Sequence, residues 1–200
     1  MPEKEVRMSE FRNLSDAEMT IEGYAATFEN PTVLYKYDGV EYKEVIDKTA
    51  FSKTEMKDCC LKYNHSDHVP ILARKRGNSL SLSVDEIGLF FRAKLFDTQS
   101  ARDVYKLVKE GALNRCSFSF VVAPGGAYYD GPTHTRHLMD IETLYDVSVV
   151  DIPAYDTTSV NARALFSLDS EKERLDSLKR QRLQTKIEIT RIIYGGLKNE

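Results

Sequence analysis

The sequence predicts a mostly β (α+β) domain, a barrel or sandwich rather than a doubly wound sheet, followed by a helical tail. Three observations predict it. Short segments that alternate apolar and polar residues recur along most of the chain. Before residue 166 only two stretches read as helix, so strands and helices do not alternate one for one. Beyond about residue 167 the composition changes: Glu171 to Ile193 has no Gly or Pro, and Leu175, Leu178, Leu183, Ile187 and Ile192 fall at loosely helical spacing. The expected division is a β domain over 1–166 and a helical tail over 167–200.

Two hundred residues suit one domain with an appendage, and 42% hydrophobic residues suffice for a real core. A net charge of -3 carries no blanket nucleic-acid signature. No apolar run approaches the roughly 20 residues that span a bilayer, and Met1-Pro2-Glu3-Lys4-Glu5 lacks the apolar stretch of a signal peptide. Cys59, Cys60 and Cys116 form no disulfide framework, which points to a reducing cytosol.

In chain order, residues 1–18 are charged and polar, a loose lead-in or an edge strand. From Met19 to Phe28, Ile21, Gly23 and Ala25 alternate with Glu22, Tyr24 and Ala26, giving a first strand. Asp38-Gly39 suits a hairpin between 33–37 and 40–45. Asp47 is placed to cap a short helix over 48–56, with Ala50 and Phe51 facing inward. A brief strand from Cys59 to Tyr63 ends on Asn64-His65, and 69–72 resume extended structure. Residues 80–85 and 89–95 alternate around Asp85-Glu86-Ile87-Gly88, a second hairpin. Ala101, Val104, Tyr105, Leu107 and Val108 make a helical stripe that stops at Gly111. Cys116 to Val122 alternates as a strand, with Ser117 and Ser119 on one face and Cys116, Phe118 and Phe120 on the other. Residues 143–150 are a β-branched strand that Pro153 closes.

Every histidine sits in an HxxH pair, His65-His68 or His134-His137, and four imidazoles could hold a transition metal. These segments read as turns or strands, where positions three apart face opposite ways, and no Cys or acidic cluster completes a site. His134 and His137 therefore read as an exposed hairpin. His65 sits at a loop mouth after an apolar strand, where catalytic groups collect, although a loop histidine is more often decoration. Serines on a strand are usually solvated. Asp146 lies on an otherwise apolar strand, where a carboxylate is expensive unless partnered. His65, Ser117 and Asp146 supply base, nucleophile and orienting acid, the three parts that activate a hydroxyl.

Gly23-Tyr24-Ala25, Val45-Ile46-Asp47 to Ala50-Phe51, Asn64-His65, Leu80-Ser81 to Gly88-Leu89, Gly111-Ala112-Leu113, Ser117-Phe118-Ser119-Phe120, and Leu144 to Val150 with Pro153-Ala154-Tyr155 occur in that order over residues 20–163. In this the chain resembles the prohead (procapsid maturation) serine proteases of tailed phages. The resemblance implies an antiparallel β-barrel flanked by short helices, the fold of the herpesvirus capsid assembly proteases, and a His-then-Ser order with Ser117 as nucleophile. The chain departs from the family pattern in having Ser119 where Gly is usual and Asp146 where Glu is usual; Glu142 and Asp140 are reserves for the third role. The usual Asn-His-Asp appears as Asn64-His65-Ser66, with Asp67 one place on.

The implied activity is a serine endopeptidase that cuts scaffolding protein, or the scaffolding segment of the major capsid protein, and itself. It would act without a cofactor inside the procapsid in the bacterial host cytoplasm, with no direct nucleic-acid readout and no membrane; self-association as a homo-oligomer is an added option. Backbone N–H groups or a cation such as Arg136 are the candidates for the oxyanion. Two rival readings differ in class: a protease-fold scaffold or assembly protein without activity, suggested by the mixed charges of the tail, and a metal-binding domain.

Overall fold

The structure, a computed structural model, describes residues 5–15, 19–151, 177 and 179–187. Twelve strands run in chain order: β1 (Glu5–Ser15), β2 (Thr20–Thr27), β3 (Thr32–Tyr37), β4 (Val40–Ile46), β5 (Cys60–Tyr63), β6 (Ala73–Arg74), β7 (Leu80–Val84), β8 (Gly88–Lys94), β9 (Arg115–Val122), β10 (Ala127–Asp130), β11 (Thr135–Leu138) and β12 (Ile141–Val150). One helix, α1 (Gln99–Lys109), separates β8 from β9.

Eight strands form one sheet in the order β6-β5-β12-β9-β1-β2-β8-β7, and β10-β11-β4-β3 form a second. The expected closed antiparallel barrel is not what forms. Both sheets are open, and β12 runs parallel to β5, as β11 does to β4. The large sheet curls instead. β1 gives residues 5–10 to β9 and residues 11–15 to β2, with an irregular register between Phe11 and Leu14. A strand that changes partner midway turns the sheet through a corner. The two ends then approach: Phe96 N–H donates to the Leu72 carbonyl at 2.8 Å and Arg74 N–H to Ser79 Oγ at 2.8 Å. Contacts of this kind tie the ends together without a ladder.

β1 also corrects the reading of residues 1–18 as a loose lead-in or edge strand, since it is hydrogen-bonded on both sides. The helix expected over 48–56 is a chain of turns, with Ala50 N–H on Asp47 O, Ser52 N–H on Thr49 O and Thr54 N–H on Phe51 O. Asp47 does cap it, accepting from Thr49 N–H at 2.8 Å, and Ala50 and Phe51 do face inward. Helix growth fails because the next backbone groups pair elsewhere: Glu55 N–H donates to Glu142 O, and Thr54 Oγ1 to Ile141 O. Extended structure resumes at β6 rather than over 69–72.

The two expected hairpins form as β3–β4 and β7–β8. At the first, Asp38 and Gly39 both have positive φ (48° and 78°), the backbone that matches strand twist in a two-residue turn. At the second, Asp85 Oδ1 accepts from Ile87 N–H and Gly88 N–H. α1 starts on Thr98, whose side chain accepts from Ala101 N–H, and buries Ala101, Val104, Tyr105 and Val108. Leu107, assigned to the same stripe, is exposed. Residues 177 and 179–187 are helical and exposed; the rest of the tail and Pro153 lie outside the described residues.

The main core fills the concave side of the curled sheet. Phe118 stacks on Phe120 at 5.0 Å between ring centroids, and Phe51 meets Phe118 edge-on at 6.0 Å, so the turn after β4 is clamped onto β9. Val147, Val149 and Leu61 join them, fully buried.

Two expectations test this packing. At Gly88 an added Cβ would lie 1.9 Å from the Ala26 carbonyl oxygen, because β2 approaches there as backbone against backbone. Gly88→Ala is expected to lose about 2 kcal/mol of stability, read as a lower melting temperature. Gly77→Ala, whose Cβ meets nothing nearer than 3.7 Å, serves as the control. Burial pushes the Cys59 thiol up to about 12, so at pH 8 it stays a thiol and not the reactive thiolate. Iodoacetamide at pH 8 should leave Cys59 unmodified in the native protein and alkylate it in denaturant; rapid native labelling would contradict this core.

Candidate active site

β9 and β12 form a two-faced ladder. Phe118 pairs with Val147, Cys116 with Val149 and Phe120 with Leu144; these are the core side. Between them, Ser117 pairs with Ser148 and Ser119 with Asp146. Since alternate residues share a face, two serines, an aspartate and a third serine gather on the other side. β5 extends that face, with Cys60 beside Asp146 and Lys62 beside Ser148. The serines are not solvated as strand serines usually are: Ser117, Ser119, Asp146 and Ser148 are all at most 1% exposed. A buried polar face of this kind is costly unless its groups find partners.

His65 is brought to this face by the turn that ends β5. Asn64 and His65 both take left-handed backbone, φ 52° and 53°, a conformation in which Asn and His are enriched among non-glycine residues. The turn is pinned to the end of β12. Asn64 N–H donates to the Val149 carbonyl at 2.9 Å, His65 N–H to Ser148 Oγ at 3.2 Å, and Asp151 N–H to Asn64 Oδ1 at 3.1 Å. The parallel pairing of β5 with β12 therefore delivers the imidazole above Asp146.

There, His65 Nδ1 lies 2.6 Å from Asp146 Oδ1, and Ser148 Oγ donates to the same oxygen at 2.8 Å. An ionised carboxylate can only accept, so Nδ1 carries the ring proton and Nε2 presents a lone pair. Nε2 and Ser119 Oγ are the two buried side-chain atoms that lack a hydrogen-bond partner among the described residues. An imidazole held by a buried carboxylate, with its far nitrogen bare, is built to take a proton from a neighbouring group.

The structure thus joins His65 to Asp146 directly and sets Ser117 on the same face, on the adjacent strand. The reserves stand apart from this couple: Glu142 is exposed, and the main chain of Asp140 is tied to Ala123 and Gly126. Arg136, a candidate for the oxyanion, belongs to the smaller sheet, where its guanidinium is buried on Glu44 at 3.0 Å. The histidine pairs separate. His68 is exposed, His134 Nδ1 is 2.9 Å from Tyr129 Oη, and His137 stacks on Tyr128 at 4.5 Å. The hairpin expected around His134 and His137 forms as β10–β11, but both residues are half-buried rather than exposed, because β11 also pairs with β4. Cys116 faces the core, its Sγ 3.4 Å from the Tyr24 carbonyl.

Two residues were missed in the sequence. Ser148 touches both members of the couple, and its signal was a second polar residue two places after Asp146 on the same strand face. Lys62 adjoins the polar face and donates to Asp67, a hydrogen bond that raises its pKa above the usual lysine value.

A histidine held by a buried carboxylate on a sheet face that also bears serines has the residue types that a serine hydrolase uses. The model of the family described as caudovirus prohead serine protease matches residues 3–173, and the chain belongs to that family. No curated protein and no solved structure matches it. The chain is accordingly a serine protease of phage prohead maturation.

Asp146→Asn should identify the third functional group. It keeps the shape but frees Nδ1 from an obligatory proton, and peptide-bond cleavage should fall by on the order of 10³–10⁴-fold. Asp140→Asn and Glu142→Gln, tested in the same assay, should stay within about twofold of wild type. A large loss at either reserve would reassign the role.

Proposed function

We propose that the chain is a serine endopeptidase in which Ser117 is the nucleophile, His65 the general base and Asp146 the group that orients the imidazole. The observation that carries this reading is the 2.6 Å contact of His65 Nδ1 with Asp146 Oδ1, which leaves Nε2 without a hydrogen-bond partner, while Ser117 lies on the same face of the adjacent strand. Ser117 Oγ attacks the scissile carbonyl carbon as Nε2 takes the hydroxyl proton. The tetrahedral intermediate expels the amine, which receives that proton from the imidazolium, leaving an acyl-enzyme. Water then attacks the ester with the same base, and Ser117 is regenerated. The steps use only the chain's own side chains and water.

The family supports a substrate in the maturing phage head: scaffolding protein or the scaffolding segment of the capsid protein, and the protease itself. In this reading residues 1–166 are the protease and 167–200 a helical extension that docks on scaffold or is cut away. The exposed helix over 179–187, with Leu183 and Ile187 both uncovered, suits such docking.

The nucleophile is tested against its neighbour. Two residues along a strand are about 7 Å apart, too far for one imidazole to activate both hydroxyls. Ser117→Ala should abolish self-shortening of the purified protein and labelling by a fluorophosphonate, and Ser119→Gly should leave both largely intact. Recovery of the phosphonate on Ser119, or cleavage by Ser117→Ala at a comparable rate, would overturn the assignment. A protease-fold scaffold without activity would show neither cleavage nor labelling in any form.

A further inference from the structure

We propose that Ser148 is a positioning residue of this site, its single hydroxyl fixing the base and its carboxylate in one arrangement; the proposal rests on His65 being the base. Ser148 is fully buried and lies across the ladder from Ser117. Its Oγ accepts from the His65 main-chain N–H at 3.2 Å, donates to Asp146 Oδ1 at 2.8 Å, and lies 3.2 Å from His65 Nδ1.

Counting protons fixes the directions. A hydroxyl has one proton and two lone pairs, and an ionised carboxylate has no proton to give. Nδ1–H must therefore point at Asp146, 2.6 Å away, and cannot also receive a proton from Ser148. The Ser148 proton goes to Asp146, and its lone pairs face the two N–H groups of His65. The two N–H groups of His65 and the Ser148 hydroxyl are then placed in a single pattern.

That pattern has a mechanical consequence. His65 is held in left-handed backbone, φ 53°, in which a non-glycine residue is strained. One of the bonds holding it there ends on a side chain that also grips the carboxylate. Backbone, ring and acid are located by the same oxygen atom, so a shift of any one disturbs the other two. Ser148 does not touch the scissile bond, and its contribution is to keep Nε2 aimed.

The test uses the full-length protein and a fluorophosphonate probe, which needs no knowledge of the natural substrate. Ser148→Ala should lower the limiting rate of phosphonylation by roughly 10- to 100-fold, the loss expected for a hydrogen bond to a charged group, while the half-saturating probe concentration stays put. Ser148→Thr, which keeps the hydroxyl, should recover most of the rate. Independently of labelling, the Nδ1–H proton of His65 is read by NMR in a Ser117→Ala background. It should exchange slowly with Ser148 present and be broadened by exchange in the Ser148→Ala double variant. If Ser148→Ala loses its cooperative thermal transition, Ser148→Cys, of similar volume but a weaker donor, is read in its place with the same expectation.

An unchanged limiting rate together with an unchanged Nδ1–H signal overturns the proposal, as does a loss that Ser148→Thr leaves unrecovered. Labelling of Ser117→Ala would overturn the nucleophile assignment alone, because the NMR comparison does not depend on which serine reacts.

Discussion

A carboxylate withdrawn completely from water, in the middle of a largely buried strand, is the constraint around which this protein is arranged. Asp146 is 0% exposed. In such a place an ionised carboxylate costs several kcal/mol unless donors surround it. The donors come from two directions: the next residue but one on its own strand, and a turn brought in by a strand running parallel. The parallel placement of β5 against β12, unusual beside the antiparallel ladders around it, is what brings His65 into range. The left-handed turn at Asn64-His65 then becomes a requirement of the carboxylate as much as of the chain path.

The same physical problem is solved differently elsewhere in the molecule. Glu44 on β4 is as deeply buried, and it meets the Arg136 guanidinium of the neighbouring strand. A permanent cation neutralises a carboxylate, and the pair becomes a fixed strut of the small sheet. Asp146 meets instead an imidazole and a hydroxyl, whose protons can be shared and whose charge can change. One buried acid is neutralised for good, and the other keeps partners whose protons can move. The difference lies wholly in the residue supplied opposite.

Much of this was readable in the residues, and the exceptions have physical causes. Alternation located β2, β7, β8 and β9 because each has at least one apolar face, β-branched residues located β12, and Asp38-Gly39 announced its hairpin through the backbone that the turn demands. β1 was read only as a loose lead-in or an edge strand, since Val6-Arg7-Met8 alternates too briefly to stand out and its place is secured by backbone bonds to strands distant along the chain. The turns after Asp47 looked like a helix because the cap is genuine. What stops the helix is pairing with Glu142 and Ile141, some 87 residues away. The curl of the large sheet passed for closure, because a list of strands does not say whether the last one meets the first. His65 and Asp146 stood out as chemical types in odd surroundings. Ser148 did not, for a serine among valines looks like ordinary strand alternation until the turn bearing His65 is laid across it.

The position of β1 has a consequence in time. It is made early, yet half of its length has no partner until β9 emerges about a hundred residues later. The turn bearing His65 likewise waits for β12 before its left-handed backbone is held. Pairings so distant along a chain must bear the entropy of closing long loops before any contact repays it, and they form late. A growing chain therefore carries His65 for some eighty residues before Asp146 is made to meet it. The order of the strands is itself a delay: this face of the sheet cannot close until β12 has been made.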